Sequence, residues 1–167
     1  MPSVDFKERL LAGLGGPFPE GGDLNVETIR VEKKEGYRLE WITYDSEPND
    51  SIPAVVLVPD GVDGNNPAPA ICIWHQHNGQ WHLGKSEPAG LAGNEMHHTG
   101  VALAREGYVV LCPDALGFED RAKGFQLQGG ALERLLYLKY VVRGKTMAWK
   151  NVLDMRRAVD YISSRAD

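Results

Sequence analysis

Hydrophobic residues keep two different periods along the chain, and the change between them falls near residue 70. Over 26–32 the polar positions Thr28, Arg30 and Glu32 interleave with Ile29 and Val31. After Glu35-Gly36 the alternation resumes over 37–44 through Leu39, Trp41 and Thr43. A period of two on both sides of a glycine-bearing turn predicts an antiparallel hairpin. Residues 54–58, bounded by Pro53 and by Pro59-Asp60-Gly61, predict a further antiparallel strand. The runs 70–74 (Ala-Ile-Cys-Ile-Trp) and 108–112 (Tyr-Val-Val-Leu-Cys) have no polar alternation at all. Continuous apolar runs of this length predict strands buried on both faces, as in a parallel sheet.

Helical spacing fills the gaps between these runs. Phe6, Leu10, Leu11 and Leu14 predict a short helix over 3–14, stopped by Gly15-Gly16-Pro17. Asn94 is placed to cap a helix running to Glu106, and Gly107 ends it just before the second apolar strand. That makes a β-α-β unit with a right-handed crossover. Leu132, Leu135, Leu136 and Leu138 predict a helix over 129–142, broken by Arg143-Gly144-Lys145-Thr146. The stripe Ala148, Val152, Met155, Val159, Ile162 predicts a last helix over 148–165. The expected fold class is α/β: a mixed sheet in which an antiparallel N-terminal hairpin is followed by a parallel β-α-β. With no internal repeat, low-complexity tract or linker, 1–167 reads as one domain.

Charge narrows the partners. Eighteen Lys and Arg against 23 Asp and Glu give a net charge of −5 without a long basic run, so neither nucleic acid nor an anionic membrane surface is an expected partner. The longest apolar stretches are too short to span a bilayer, and no secretory leader is readable, which makes the cytoplasm the expected location. Cys72 and Cys112 lack the spacing of a disulfide framework or zinc ribbon and read as buried free thiols.

In open α/β sheets ligands bind beyond the carboxyl ends of the parallel strands, and the segments following Trp74 and Cys112 are both polar. The first is His75-Gln76-His77-Asn78-Gly79-Gln80-Trp81-His82, continuing to Gly84-Lys85-Ser86-Glu87-Pro88-Ala89-Gly90; the second is Pro113-Asp114-Ala115-Leu116-Gly117-Phe118-Glu119-Asp120-Arg121. His75-x-His77 could present two imidazoles to one metal ion, with His82, His97 or His98 as a third ligand. Equally, these histidines could brace the loop through backbone hydrogen bonds. A third reading is an oxyanion-binding loop, in which a backbone N–H after the strand meets a developing negative oxygen. Asp114 and Arg121 are candidate substrate-binding groups, with local hydrogen bonding and ion pairing as the structural alternative.

Taken in order, the His75-Gln76 strand end, Gly84 to Leu91, Arg105-Glu106-Gly107-Tyr108-Val109-Val110-Leu111 and Asp114 to Arg121 resemble the α/β-hydrolase superfamily. Within it, they resemble the dienelactone-hydrolase-like and acetyl-xylan-esterase-like group. Arg143-Gly144-Lys145-Thr146 and the helix carrying Asp154, Arg157, Ala158, Asp160 and Tyr161 continue the likeness. The resemblance implies a serine hydrolase of carboxylic esters or lactones that needs no cofactor. Its oxyanion donor would be the backbone N–H of Gln76, with His75, His77, Asp114 and Arg121 around the substrate. It also implies a strand and a Gly-x-Ser-x-Gly nucleophile elbow after the last helix. No such motif occurs in the chain, so the expectation is an incomplete domain ending before the elbow, with no triad and no turnover of its own. Its 70–74 edge would then be open to self-association or to a partner strand. The alternatives are a non-catalytic binding module on the same half-fold and a metal-dependent hydrolase using His75 and His77.

Overall fold

The five strands are β1 (Glu27–Lys33), β2 (Tyr37–Glu47), β3 (Asp50–Pro59), β4 (Ala70–Cys72) and β5 (Val109–Pro113). They form one sheet in the order β1-β2-β3-β5-β4 in a computed structural model that describes residues 4–167. The first three strands pair antiparallel, β3 pairs antiparallel with β5, and β4 pairs parallel with β5 through Ala70↔Val109 and Cys72↔Leu111. The helices are α1 (Val4–Leu14), α2 (Thr99–Arg105), α3 (Gly129–Val141) and α4 (Met147–Ser164). Ser3, the first residue of the expected opening helix, lies outside the described residues. Among these, no helix is long and apolar enough to cross a membrane.

Strand alternation sorts the core into two layers. Ile42, Tyr44, Ala54, Val56 and Leu111 face α4 and pack with its Ala158 and Tyr161. Leu39, Val55, Leu57, Val110 and Cys112 face the opposite way, toward Val101 and Ala104 of α2. Central strands of this kind contribute most of the buried apolar area, at roughly 25 cal/mol per Å².

Three expectations are revised. The third strand begins at Asp50 rather than 54, because Asn49, at φ +62°, lets β2 turn directly into β3. Pro53 does not delimit the strand: it lies inside it, opposite Thr43, and its carbonyl accepts the Asp114 N–H at 3.0 Å. The 70–74 run is not buried on both faces: β4 has three residues, Ala70 is exposed and 71–74 are half-buried, because β4 is an edge strand with one neighbour. The helix expected over 94–106 is also divided. Asn94 caps a 3-10 turn, Glu95–His97, whose Met96 N–H it accepts at 3.0 Å, and α2 starts only after His98.

A buried ionic cluster ties α4 to the β2–β3 turn. Lys150, closed to solvent, meets Asp154 at 2.7 Å, Glu47 at 3.0 Å and also Asp50. The Arg121 guanidinium lies 2.7 Å from Asp154 and 2.9 Å from Asp50. Thr146 caps α4 by accepting the Trp149 N–H at 3.0 Å.

Candidate functional site

Beyond the carboxyl ends of β4 and β5 lies a cavity of about 250 Å³. Trp74, Leu116, Phe118 and Met147 supply its apolar walls, and His75, His77, Glu133 and Asn151 its polar groups. The loop after β4 therefore meets the segment after β5, Glu133 of α3 and both Met147 and Asn151 of α4.

His75 is fully engaged with backbone. Its Nε2 accepts the Ala115 N–H at 3.1 Å, so Nδ1 carries the proton and donates to the Gln76 carbonyl at 2.9 Å. Burial pushes its pKa below the usual value, more than the Gln76 bond and the charges of Glu119 and Glu87 raise it. A neutral imidazole with both nitrogens spent is a brace between the two loops, and it has no lone pair left for a metal or a proton. The same brace orients the next peptide, and no described residue accepts from the Gln76 N–H.

His77 is arranged differently. Its Nδ1 accepts the Gly79 N–H at 3.1 Å, which leaves Nε2–H to donate to Glu133 Oε1 at 2.9 Å. Glu133 Oε2 accepts the Trp81 indole N–H at 2.9 Å. Burial acts to raise the Glu133 carboxyl, but the two hydrogen bonds outweigh it and hold its pKa below the usual range. The aromatic rings close around this pair: His77 lies 5.6 Å from Trp81 and 5.1 Å from Phe118.

Asp114 and Arg121 do not line this cavity. Asp114 is closed to solvent and accepts the Lys85 N–H at 2.7 Å, the Lys85 ammonium at 2.9 Å and the Asp120 N–H at 3.2 Å. Lys85 also meets Glu119 and Asp120, each at 2.7 Å. Burial would lower the Lys85 pKa, but the three carboxylates raise it above its ordinary value. Burial pushes Asp114 up to about 6 against the pull of Lys85. Glu119 and Asp120 stay below the usual range because their hydrogen bonds, chiefly to Lys85, Ser86 and Lys123, outweigh burial. Glu119 Oε2 accepts the N–H groups of Gly84 and Ser86 at 2.9 and 3.0 Å, so this cluster fastens the Gly84-to-Gly90 loop to the end of β5. Asp114, Glu119 and Asp120 bring carboxylate oxygens within 4.8 Å of one another, as a metal site would; the Lys85 ammonium already occupies their common focus. The histidines do not converge: His98 Nε2 is spent on the Ala92 carbonyl at 3.1 Å, and His82 and His97 are not among the cavity residues. Arg121 also reaches the Asp114 carbonyl at 3.2 Å, from its place between Asp50 and Asp154.

Several of these partners carry no sequence motif. Glu133 and Asn151 lie on helix faces with no distinguishing pattern, more than 50 residues beyond the loop that carries Trp81. Lys85 and Glu119 lie in the quoted loops, but only their meeting in space explains them. Ser46 and Lys150, at 3.0 Å, resemble a nucleophile and base in distance alone. Ser46 Oγ donates to Asp154, and the carboxylates around Lys150 raise its pKa against the effect of burial, so the pair is a buried ionic tie with no reactive role.

No family model matches the chain. It is 31% identical over 164 residues to the Bacillus subtilis (strain 168) protein named "Putative hydrolase YtaP", covering 96% of this chain and 51% of that protein. Its fold matches the crystal structure of a "putative acetyl xylan esterase" from Bacteroides fragilis NCTC 9343 with a TM-score of 0.73, at 19% identity, over 98% of this chain and 42% of that one. The chain thus has an α/β fold shared with an esterase neighbour, and it spans about half the length of the curated relative it matches.

Proposed function

We propose that this chain is the N-terminal, oxyanion-loop portion of a dienelactone-hydrolase-like serine hydrolase of carboxylic esters or lactones, whose nucleophile, acid and base come from polypeptide outside these 167 residues. The observation that carries the proposal is the loop after β4: His75 is locked by two backbone hydrogen bonds, and the next residue, Gln76, whose N–H has no acceptor among the described residues, stands in the chain between His75 and His77, which both line the 250 Å³ cavity. In the reaction a serine Oγ attacks the ester carbonyl and gives its proton to a histidine. The carbonyl oxygen becomes an oxyanion, to which Gln76 N–H donates. Collapse expels the alcohol, and water then hydrolyses the acyl-enzyme. One such donor contributes about 10²–10³ in rate.

Sheet topology supports the location of the missing part. The β4-α2-β5 crossover places α2 on one face, and α4 leaves β5 over the other. Right-handedness then directs a strand that follows α4 to the free edge of β4. Strand order would reverse there, at the point where open α/β sheets bind ligands. The relative and the structural neighbour, both about twice as long, are consistent with this. The test is the reading frame after the Asp167 codon: the proposal expects a strand and Gly-x-Ser-x-Gly within about forty codons. An immediate stop would overturn it. That outcome would favour a binding module instead, a reading supported by an apolar trough of about 420 Å³ where Trp74 of the β4 edge meets Val152, Met155 and Val159 of α4.

A further inference from the structure

We infer that the cavity at the ends of β4 and β5 selects small esters bearing a hydrogen-bond donor and rejects those bearing a carboxylate, with Glu133 as the specificity-determining residue. The inference rests on the ester-hydrolase reading and narrows its substrate class.

Three observations carry it. First, the cavity is small: about 250 Å³, below the roughly 300–1,000 Å³ of sites for drug-sized ligands. It fits a short acyl or alcohol group. Second, its walls are mostly aromatic and aliphatic, and no lysine or arginine is among the described residues that line it. Third, the one carboxylate among its described lining residues is Glu133, which is held by two neutral N–H donors, His77 Nε2 and Trp81 Nε1, rather than by a lysine or arginine. An ionised carboxylate offers about four acceptor positions, and these two bonds use two of them. The other two favour a hydroxyl or ammonium hydrogen. A ligand carboxylate would bring like charge against Glu133 in a partly desolvated site with no cation to offset it. His75 cannot assist such an anion, since its single N–H is spent on Gln76.

The 167-residue chain itself can be tested, because it supplies Glu133, its two N–H donors and the described lining of the cavity. Three esters of similar size serve as probes: 2-hydroxyethyl acetate, propyl acetate and acetoxyacetate. Each is titrated at about pH 8 while the indole N–H resonances are followed by NMR, Trp81 reporting directly on Glu133. The hydroxyl ester should shift the Trp81 resonance and bind about tenfold tighter than propyl acetate, the scale of one hydrogen bond to a charged group. Acetoxyacetate should leave it unmoved. Glu133→Gln should erase the hydroxyl preference and admit acetoxyacetate, whereas Glu133→Asp, which keeps the charge, should still exclude it. Amide spectra matching the parent elsewhere establish that both variants fold. Acetoxyacetate binding as well as the hydroxyl ester, or a selectivity unchanged in Glu133→Gln, would overturn the inference and leave the hydrolase reading standing. If none of the three esters perturbs the cavity, the inference also fails, and the hydrolase reading answers separately to its gene and turnover tests.

Discussion

Replacing Lys85 with methionine removes the buried cation shared by three carboxylates, leaving only the exposed Lys123 on Asp120, and keeps most of the side-chain volume. Breaking a buried ion pair by deleting one partner costs about 3–5 kcal/mol, because the remaining charge is stranded. Here Asp114 is closed to solvent, while Glu119 and Asp120 keep 19% and 33% of their side-chain surface exposed. Two of the three carboxylates can therefore turn partly to water, and the expected loss lies at the lower end, about 3 kcal/mol. With a urea m-value of about 2 kcal/mol per M, the unfolding midpoint at pH 7 should fall by about 1.5 M. Lys85→Met with Asp114→Asn should recover much of that loss. Magnesium or calcium should stabilise Lys85→Met but not the parent, whose ammonium already fills the focus of Asp114, Glu119 and Asp120. The Gly84-to-Gly90 loop, fastened by the same carboxylates, should become the first site of limited proteolysis. A loss below about 1 kcal/mol, or one indifferent to both Asp114→Asn and divalent ions, would refute the claim that this cluster is an ionised, mutually dependent unit.

Three further outcomes are expected. The carboxyls of Asp50, Glu119 and Asp120 are all held below their ordinary values, so the folded state binds fewer protons than the unfolded chain. Their stabilisation is complete above the unfolded values near 4 and is lost as pH falls through the lowered folded ones. Asp114 runs the other way, since its pKa is raised to about 6 and its contribution disappears as pH rises past that value. Urea midpoints from about pH 7 down to about pH 3 should therefore fall steeply only at the acid end; a midpoint flat across that range would contradict these assignments. Glu87 is buried with neither carboxylate oxygen hydrogen-bonded among the described residues. Glu87→Met should raise stability by about 1–3 kcal/mol in the same assay, and a destabilised variant would mean that the carboxyl has a partner. The open edge of β4 should make the chain associate, so its melting temperature should rise between about 5 and about 500 μM protein. A sharp monomeric melt independent of concentration would count against that.

Period and turn chemistry made the sheet legible before its geometry was known. Alternation over 26–44 marked the β1–β2 hairpin, and the unbroken apolar run at 108–112 marked β5, which is buried throughout. The same apolarity at 70–74 misled about burial, because hydrophobicity records what a strand can bury and not whether a second neighbour is there to cover it. Pro53 suggested a strand boundary although its register in β3 needs only its carbonyl. The candidate site was legible as two polar loops after two apolar strands. The separate tasks of its residues were not: only the tautomers imposed by Ala115 and Gly79 distinguish His75, a brace, from His77, which orients Glu133. Glu133 itself is one acidic residue on a helix with charged neighbours, and nothing in its spacing marks it until α3 is folded against the loop after β4.

The central claim is that this chain brings an oxyanion donor to a nucleophile lying outside it, and p-nitrophenyl acetate hydrolysis tests it most directly. The chain should be compared with the protein extended through the following reading frame, each with and without a serine-directed phosphonate. The account predicts background rates for the chain and saturable, phosphonate-sensitive turnover for the extended protein. Gln76→Pro, which deletes the donor N–H, should lower the kcat of that protein by about 10²–10³ with a much smaller change in KM. Phosphonate-sensitive turnover by the 167-residue chain alone, or an extended protein indifferent to Gln76→Pro, would contradict the account.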